Sequence, residues 1–304
     1  LNWVFKQKYK SLDYVCAWFY LASQYIHGCA NSKFSFVSTN SICQGEQVAL
    51  VWPRVLNDDK EICFAYLPFK WANNAKDKAA VIVVIIGVRN NSNSSDKQIF
   101  QQSMTATVKN INPYLADSPS VYIKRRSKPI SSILPNMVYG NLINDGGFLT
   151  LSEAEKESLV SKAPEAERYV KPYIGAREFL HGQTRFCIHI EDKDIVSASR
   201  IVEISQRLGQ VTAHRSSSTE KSTRALSEVP HKFYFQSYNN TPSILIPRTS
   251  SERRDYIPAG FLEKNVIIGD AQAICNAELW VFALLVSHMH MLWVKTVAGR
   301  LKSD

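Results

Sequence analysis

Three basic stretches hold the side chains with the clearest recognition chemistry, residues 124–128, 215–224 and 248–254. Arginine can bond two acceptors of guanine, a carboxylate can accept from cytosine, and lysine, serine and threonine mainly grip phosphates. A solvated protein surface is the alternative for any one cluster. The side chains predicted to contact DNA are Lys124, Arg125, Arg126, Arg215, Arg224, Arg248, Glu252, Arg253 and Arg254.

The third stretch lies between two prolines, Pro247 and Pro258. Because proline restricts the backbone, we expect a stiff loop that presents its charged groups in a fixed register. The competing interpretation is that its arginines pair with Glu252 or Asp255 and only hold the domain together.

Composition gives the size and the charge of the chain. The 304 residues predict about two domains, and 45% hydrophobic content is enough for sizeable cores. A formal net charge of +9 and a pI of about 9.2 suggest a polyanionic partner, although many ordinary proteins are as basic.

Cysteine and histidine spacing predicts no metal site. The six cysteines are scattered, which favours reduced thiols in a cytoplasmic protein. His288 and His290 are two apart on a predicted helix and therefore diverge. The longest apolar run, residues 79–88, is too short to span a bilayer, so no membrane association is expected.

Hydrophobic periodicity predicts an α/β start to the chain. Helices are expected over residues 11–26 and 44–56, and strands over 34–39, 61–67 and 78–88. The last strand is almost wholly apolar and should be buried on both faces. This order resembles the second half of a doubly wound sheet.

Ser38, Thr39 and Asn40 come at the end of the first predicted strand. Open α/β sheets bind ligands at the carboxyl ends of their strands, which makes Asn40 a candidate ligand-binding residue. Its alternative role is to cap the helix that follows.

A polar, turn-rich segment at residues 90–96 predicts a linker, and we place the domain boundary just beyond it, with domains at 1–100 and 101–304. The second domain should mix helices and strands. We expect helices over 152–162, with a capping box, and 195–208, a strand over 185–190, and a long, mostly buried helix over 276–297.

Residues 36–48 (FVSTNSICQGEQV) carry the firmest family resemblance. They resemble the late methylase motifs of MmeI-like restriction-modification DNA methyltransferases, where a strand ending in Ser-Thr-Asn-Ser-Ile precedes a helix beginning with Gln-Gly-Glu-Gln. Other segments resemble that family's next methylase block and then its recognition domain, in the expected order: 64–75 (FAYLPFKWANNA), 79–87, 110–115 (NINPYL), 145–147 (DGG), 175–179 (GAREF), 250–258 (SSERRDYIP) and 299–304 (GRLKSD).

The resemblance implies a bacterial adenine-specific methyltransferase that uses S-adenosylmethionine and binds double-stranded DNA. It implies the C-terminal half of a Rossmann-like methylase sheet followed by a mixed α+β target-recognition domain. Methylating an exocyclic amino group requires the base to leave the duplex and stack on an aromatic ring. Phe69 and Trp71 lie where related enzymes keep that ring, so with Asn40 they are the predicted adenine pocket; their alternative role is packing on the sheet.

Residues 112–114 (NPY) are similar to the Asn-Pro-Pro-Tyr catalytic motif but lack its second proline and follow the late motifs. We therefore predict no catalytic residue in this chain. The resemblance implies that the catalytic motif and the main cofactor loop lie upstream of Leu1, so that this chain alone is inactive. Two alternatives stay open: a DNA specificity module that works with a separate methylase subunit, and an RNA methyltransferase.

Overall fold

A computed structural model describes residues 1–5, 10, 12–29, 31–71, 81–91, 96–124, 126, 131–251 and 254–298. The chain divides into two compact units. The first comprises Leu1–Lys128 with Leu292–Asp304, and the second comprises Pro129–Met291.

After a short first helix, the first unit follows the predicted order of helix, strand, helix, strand, strand. A 3₁₀ turn, Asn40–Cys43, joins the first strand to the helix after it. The elements are α1 (Asn2–Phe5), α2 (Val15–Tyr25), β1 (Lys33–Thr39), α3 (Gly45–Leu56), β2 (Lys60–Trp71), β3 (Val81–Asn90), β4 (Lys97–Gln101) and β5 (Met104–Val108).

These strands form one sheet in the order β1-β3-β2-β4-β5. Strand β3 is antiparallel to both β1 and β2, so β1 and β2 run in the same direction. Strand β4 pairs with β2 in parallel and β5 pairs with β4. The boundary predicted after residue 100 thus falls within β4, which belongs to the first sheet.

Helices α2 and α3 cover one face of this sheet. Phe19 and Trp52 are fully buried there against Ile86, and the Trp52 indole donates to the carbonyl of Ile42 at 2.8 Å. The middle of β3 is buried as expected, whereas Val81 at its start is 39% exposed.

The second unit mixes α and β elements, as predicted. Its strands form two four-stranded sheets, ordered β11-β10-β13-β6 and β12-β8-β9-β7. The strands are β6 (Val138–Tyr139), β7 (Thr150–Leu151), β8 (Val170–Ile174), β9 (Arg185–Ile188), β10 (Ser243–Ile246), β11 (Gly260–Leu262), β12 (Ile267–Ile268) and β13 (Gln272–Cys275). The helices from here to the end of the chain are α4 (Glu153–Lys162), α5 (Ala176–His181), α6 (Ile195–Ala198), α7 (Val202–Ser216), α8 (Lys221–Ala225), α9 (Leu279–Leu285) and α10 (His288–Val297).

The capping box predicted at Ser152 is present, with Glu155 as its partner. The single helix predicted over 195–208 is instead α6 and α7, separated at residues 199–201.

The long, buried helix predicted over 276–297 was wrong in two respects. It is two helices, α9 and α10, bent by 53°. Ser287 lies at the break, and its hydroxyl accepts from the backbone N–H of His290 at 3.1 Å, which caps the start of α10. Leu279 and Met289 are 76% and 81% exposed, so the pair is not mostly buried.

Among the described residues, no single helix has the length and apolarity needed to cross a membrane. Only α9 and α10 taken together, across their bend, pass that test by length and composition.

Candidate base pocket and nucleic-acid interface

The three predicted pocket residues lie at the same end of the first sheet. Thr39, the last residue of β1, pairs with Val83 on β3, and Val83 pairs in turn with Phe69 on β2. Strands lie about 4.8 Å apart, so the backbones of Thr39 and Phe69 are roughly 10 Å apart across the sheet. Asn40 follows Thr39 directly, and Trp71 is two residues beyond Phe69 on the same strand.

The side chain of Asn40 is half-buried and makes no hydrogen bond to any residue that the structure describes. The capping alternative is not supported, because α3 begins after Gln44 and has no side-chain cap, and the 3₁₀ turn has none either. Among the described residues, nothing therefore occupies the Asn40 amide, and it could bond a ligand.

A hydrogen-bond network that the sequence did not reveal fixes the turn around Asn40. The Asp13 carboxylate accepts from the Ser41 hydroxyl at 2.5 Å and from the Gln47 amide at 2.8 Å. The Thr39 and Ser41 hydroxyls are 2.9 Å apart, and the Cys16 thiol donates to the Gln47 carbonyl at 3.0 Å. Ser41 and Gln47 belong to the family-like motif, so its polar residues act here in holding a loop.

Cys16 stays protonated chiefly because it is buried. Burial and, to a smaller extent, the nearby Asp13 carboxylate raise the pKa of its thiol to about 12. A protonated thiol is a donor and a poor nucleophile. We therefore assign Cys16 a structural role.

Phe69 and Trp71 pack against each other, with ring centroids 6.4 Å apart and planes tilted by 41°. Neither ring belongs to the buried core beneath the sheet. Trp71 is 47% exposed and Phe69 is half-buried. A shift in the pairing with β3 between Tyr66 and Phe69 accompanies this change from core strand to exposed edge. The alternative that Phe69 and Trp71 only pack on the sheet thus holds in part, because both rings remain partly exposed to solvent.

The prediction that Arg215 contacts DNA was wrong, because its side chain is completely buried. Its guanidinium donates to carbonyls from two loops rather than to solvent. Burial lowers its pKa, which the Asp145 carboxylate partly opposes. The acceptors are Ile143 and Asn144 before α7, and Leu226, Val229, Pro230 and Lys232 after it.

Arg224 is exposed, but its guanidinium donates to the carbonyls of Ser218 and Thr219 at 2.8 and 2.7 Å. Both bonds come from Nη1, so this clamp on its own turn uses one of the three nitrogens of the guanidinium. Lys124 and Arg126, in contrast, are exposed and make no ion pair with the described part of the chain.

Arg248 is held by two partners that lie far from it in the sequence. Its guanidinium lies 4.8 Å over the Tyr139 ring, and its Nη1 is 3.2 Å from the Tyr139 hydroxyl and 3.5 Å from the Asp270 carboxylate. The Tyr139 hydroxyl donates to Asp270 at 2.7 Å. This hydrogen bond is the main reason that the pKa of Tyr139 is raised, and burial adds to the effect. Arg254 donates to the Ser250 hydroxyl at 3.3 Å. Arg125, Glu252 and Arg253 lie outside the described residues.

The asparagine of the NPY segment has a structural role. Its side-chain carbonyl accepts from the backbone N–H groups of Tyr114 and Ala116, and its amide donates to Ser118. Asn112 is buried, so it satisfies its own loop and offers nothing to a substrate.

The described residues contain no group of three or more histidine, cysteine, aspartate or glutamate side chains that could hold a metal ion. His290 instead bonds the carbonyl of Leu285 at 2.7 Å through Nδ1.

The two parts of the chain match two models of one protein family. Residues 1–101 match "MmeI, DNA-methyltransferase domain" and residues 117–304 match "MmeI, target recognition domain". The chain belongs to the MmeI family. The family inferred from the motifs is thereby confirmed, as are the α/β fold class and the combination of a methylase part with a recognition domain.

Two similar proteins extend this match. The chain is 41% identical over 296 residues to DNA methyltransferase A of Bacillus subtilis (strain 168), covering 97% of the chain and 33% of the relative. It is 38% identical to the type IIL restriction-modification enzyme MmeI, solved in complex with DNA, with a TM-score of 0.78. That match covers 100% of this chain and 42% of the enzyme. The chain therefore spans about a third of the curated relative it matches.

Asn40, Phe69 and Trp71 fall within the methyltransferase-domain match, and Arg248 falls within the recognition-domain match. Lys124 lies in the recognition-domain match although the chain around it packs with the first compact unit.

Proposed function

We propose that the full-length protein transfers a methyl group from S-adenosylmethionine to an adenine amino group within a specific sequence of double-stranded DNA. It would do so as part of a restriction-modification system. The chain described here would supply target recognition and one side of the adenine pocket. The observation that carries this proposal is the placement of Asn40, Phe69 and Trp71 at the same end of one sheet, in a part of the chain that matches the MmeI methyltransferase domain.

The pocket residues suit a planar base with a polar edge. An extruded adenine would stack on one of the two rings, and such stacking is worth about 1–3 kcal/mol per base. Asn40 carries a donor and an acceptor with no partner among the described residues, and these match the ring nitrogens and the N6 amino group of adenine. The Asp13 network keeps the Asn40 turn in place, so little order needs to be gained on binding.

S-adenosylmethionine supplies the electrophilic methyl group when it is bound. Its nucleoside fits a glycine-rich turn between a strand and a helix. Gly45, the glycine that begins α3, instead lies beside the chain near its end: a Cβ built on it would be 3.6–3.7 Å from the backbone of Val297 and Ala298. We therefore assign its main binding residues to other parts of the protein, and we expect the 304-residue chain alone not to bind it in a calorimetric titration.

The test is to express the full-length protein in a host without adenine methylation and to sequence the host DNA by a method that detects modified bases. We expect N6-methyladenine in one defined sequence motif. Methylation of cytosine, of RNA, or only on addition of a second subunit would each contradict the proposal. Saturable binding of S-adenosylmethionine to the chain alone would contradict its assignment to other parts of the protein.

A further inference from the structure

Arg248 and its two partners come from three separate places in the second unit. Tyr139 ends β6, Arg248 lies two residues beyond β10, and Asp270 lies between β12 and β13. The backbone fixes this meeting, because the N–H of Gly140 donates to the carbonyl of Ala271 at 2.8 Å. A Cβ at Gly140 would lie 2.0 Å from the carbonyl oxygen of Gly269, so only glycine lets β6 approach this turn so closely.

The guanidinium of Arg248 is restrained and still accessible. It stacks on Tyr139 and bonds the Tyr139 hydroxyl, yet the side chain is 52% exposed. Stacking fixes the plane of the guanidinium and leaves its outer N–H groups unused. Such preorganisation lowers the entropy lost when a planar partner is bound.

Asp270 also lines an open cleft of about 730 Å³. Two arginines line the same cleft: Arg177, which is exposed and has no partner among the described residues, and Arg185. Arg185 is tied to the buried carboxylate of Glu178 at 2.8 Å, and Glu178 also accepts from the N–H of Gly175. The wall of the cleft is therefore rigid, and its rim carries mixed charges.

We propose that Arg248, held by Tyr139 and by Asp270, which lines this cleft, reads a guanine of a G·C pair in the DNA target. This inference rests on the proposed function, because it assumes that the second unit recognises duplex DNA.

The pairing with Asp270 favours a base over a phosphate. A carboxylate 3.5 Å from the arginine would repel a phosphate, which weakens a backbone contact. A G·C pair instead presents both kinds of group in the major groove: O6 and N7 of guanine accept, and N4 of cytosine donates. Arg248 would bond the guanine acceptors, and Asp270 would remain available to the cytosine amino group.

The experiment selects bound sequences from a randomised duplex library with the full-length protein, so that base preference is measured without methyl transfer. Arg248→Lys keeps the positive charge but loses the planar fork, and Tyr139→Phe keeps the ring but loses the bond to Asp270. We expect Arg248→Lys to reduce the preference for one G·C pair about tenfold or more and to leave the other positions unchanged. Tyr139→Phe should weaken the preference at that same pair, which a merely structural role would not do.

Arg168→Lys is the matched control, because Arg168 also stacks on a tyrosine, Tyr169, at 4.6 Å, but, among the described residues, bonds Tyr169 rather than a residue that lines the cleft. It should leave the selected motif unchanged. A motif unaltered in Arg248→Lys, or an equal loss at every position, would overturn the inference. A wild-type protein that selects a DNA motif but methylates no adenine would overturn the proposed function and leave this inference standing. One that selects no motif would overturn both.

Discussion

Substitution of Arg215 by alanine distinguishes a structural arginine from a DNA-binding one. Four of its hydrogen bonds to backbone carbonyls are 2.8 to 3.2 Å long, and two more are 3.4 Å. These carbonyls belong to segments before and after α7, so the guanidinium joins three parts of the second unit. Because the side chain is fully buried, water does not replace it readily.

The expected loss of stability follows from these contacts. A buried carbonyl left without a donor costs about 1–3 kcal/mol, and part of that is recovered by relaxation and water entry. Even if half of the four short contacts were compensated, with the cavity left by the side chain added, Arg215→Ala should lower the free energy of unfolding by about 4 kcal/mol. For a domain of this size that is a fall in the melting temperature of about 8–16 °C.

Scanning calorimetry of the 304-residue chain measures this fall. Hydrogen exchange adds a local test, since the amides of residues 143–145 and 226–232 should lose protection. Arg200→Ala is the control, because Arg200 is an exposed arginine of the same unit and should change stability by no more than about 0.5 kcal/mol. An unchanged melting temperature together with weakened DNA binding in Arg215→Ala would refute the structural role.

Three further predictions concern the pocket and the response to pH. Leucine at both Phe69 and Trp71 should reduce methylation turnover by roughly tenfold to a hundredfold, since stacking is worth about 1–3 kcal/mol, while the melting temperature stays nearly constant; full activity would remove these rings from the mechanism. Asp13→Asn replaces a carboxylate oxygen that accepts from Ser41, so turnover in steady-state assays should fall about tenfold with a normal fold, and an unchanged rate would show that the turn needs no such anchor. Burial and a nearby lysine lower the pKa of His189 below 6.5, so the unfolded state takes up the proton first as the pH falls through 6.5 and stability is lost there. His189→Gln should flatten the fall in melting temperature below pH 6.5, and an identical pH profile in the variant would exclude His189 as its source.

The elements predicted well from the sequence are those set by local patterns. The helix expected over 44–56 is Gly45–Leu56, and the strand expected over 34–39 is Lys33–Thr39. The capping box at Ser152 could also be predicted from the sequence, because its two residues, Ser152 and Glu155, are only three positions apart. Alternation, apolar runs and caps act over a few residues, so they can be read without the tertiary structure.

The predictions that failed depend on contacts across long sequence distances or on a local break within an apolar run. Residues 276–297 are apolar enough to suggest a buried helix, but composition does not show which faces the rest of the chain covers. The break at Ser287 was detectable in principle, because serine is a common N-cap. Asp13 lies 34 residues before Gln47, and no spacing rule links the two.

The three arginines Arg215, Arg224 and Arg248 show why charge clusters locate a DNA-binding surface poorly. All three lie in basic stretches, and nothing in their neighbours distinguishes them. Arg215 donates all three of its nitrogens to carbonyls, including those 71 and 72 residues before it. Arg224 uses only Nη1 and bonds its own turn, whereas Arg248 also uses only Nη1 but has its plane fixed by the ring of a tyrosine 109 residues away. An arginine serves recognition only if folding leaves N–H donors unused and fixes the plane that holds them. The role of each arginine therefore depends on the acceptors that the fold places around its guanidinium. The formal net charge of +9 includes arginines whose N–H donors already bond the protein itself.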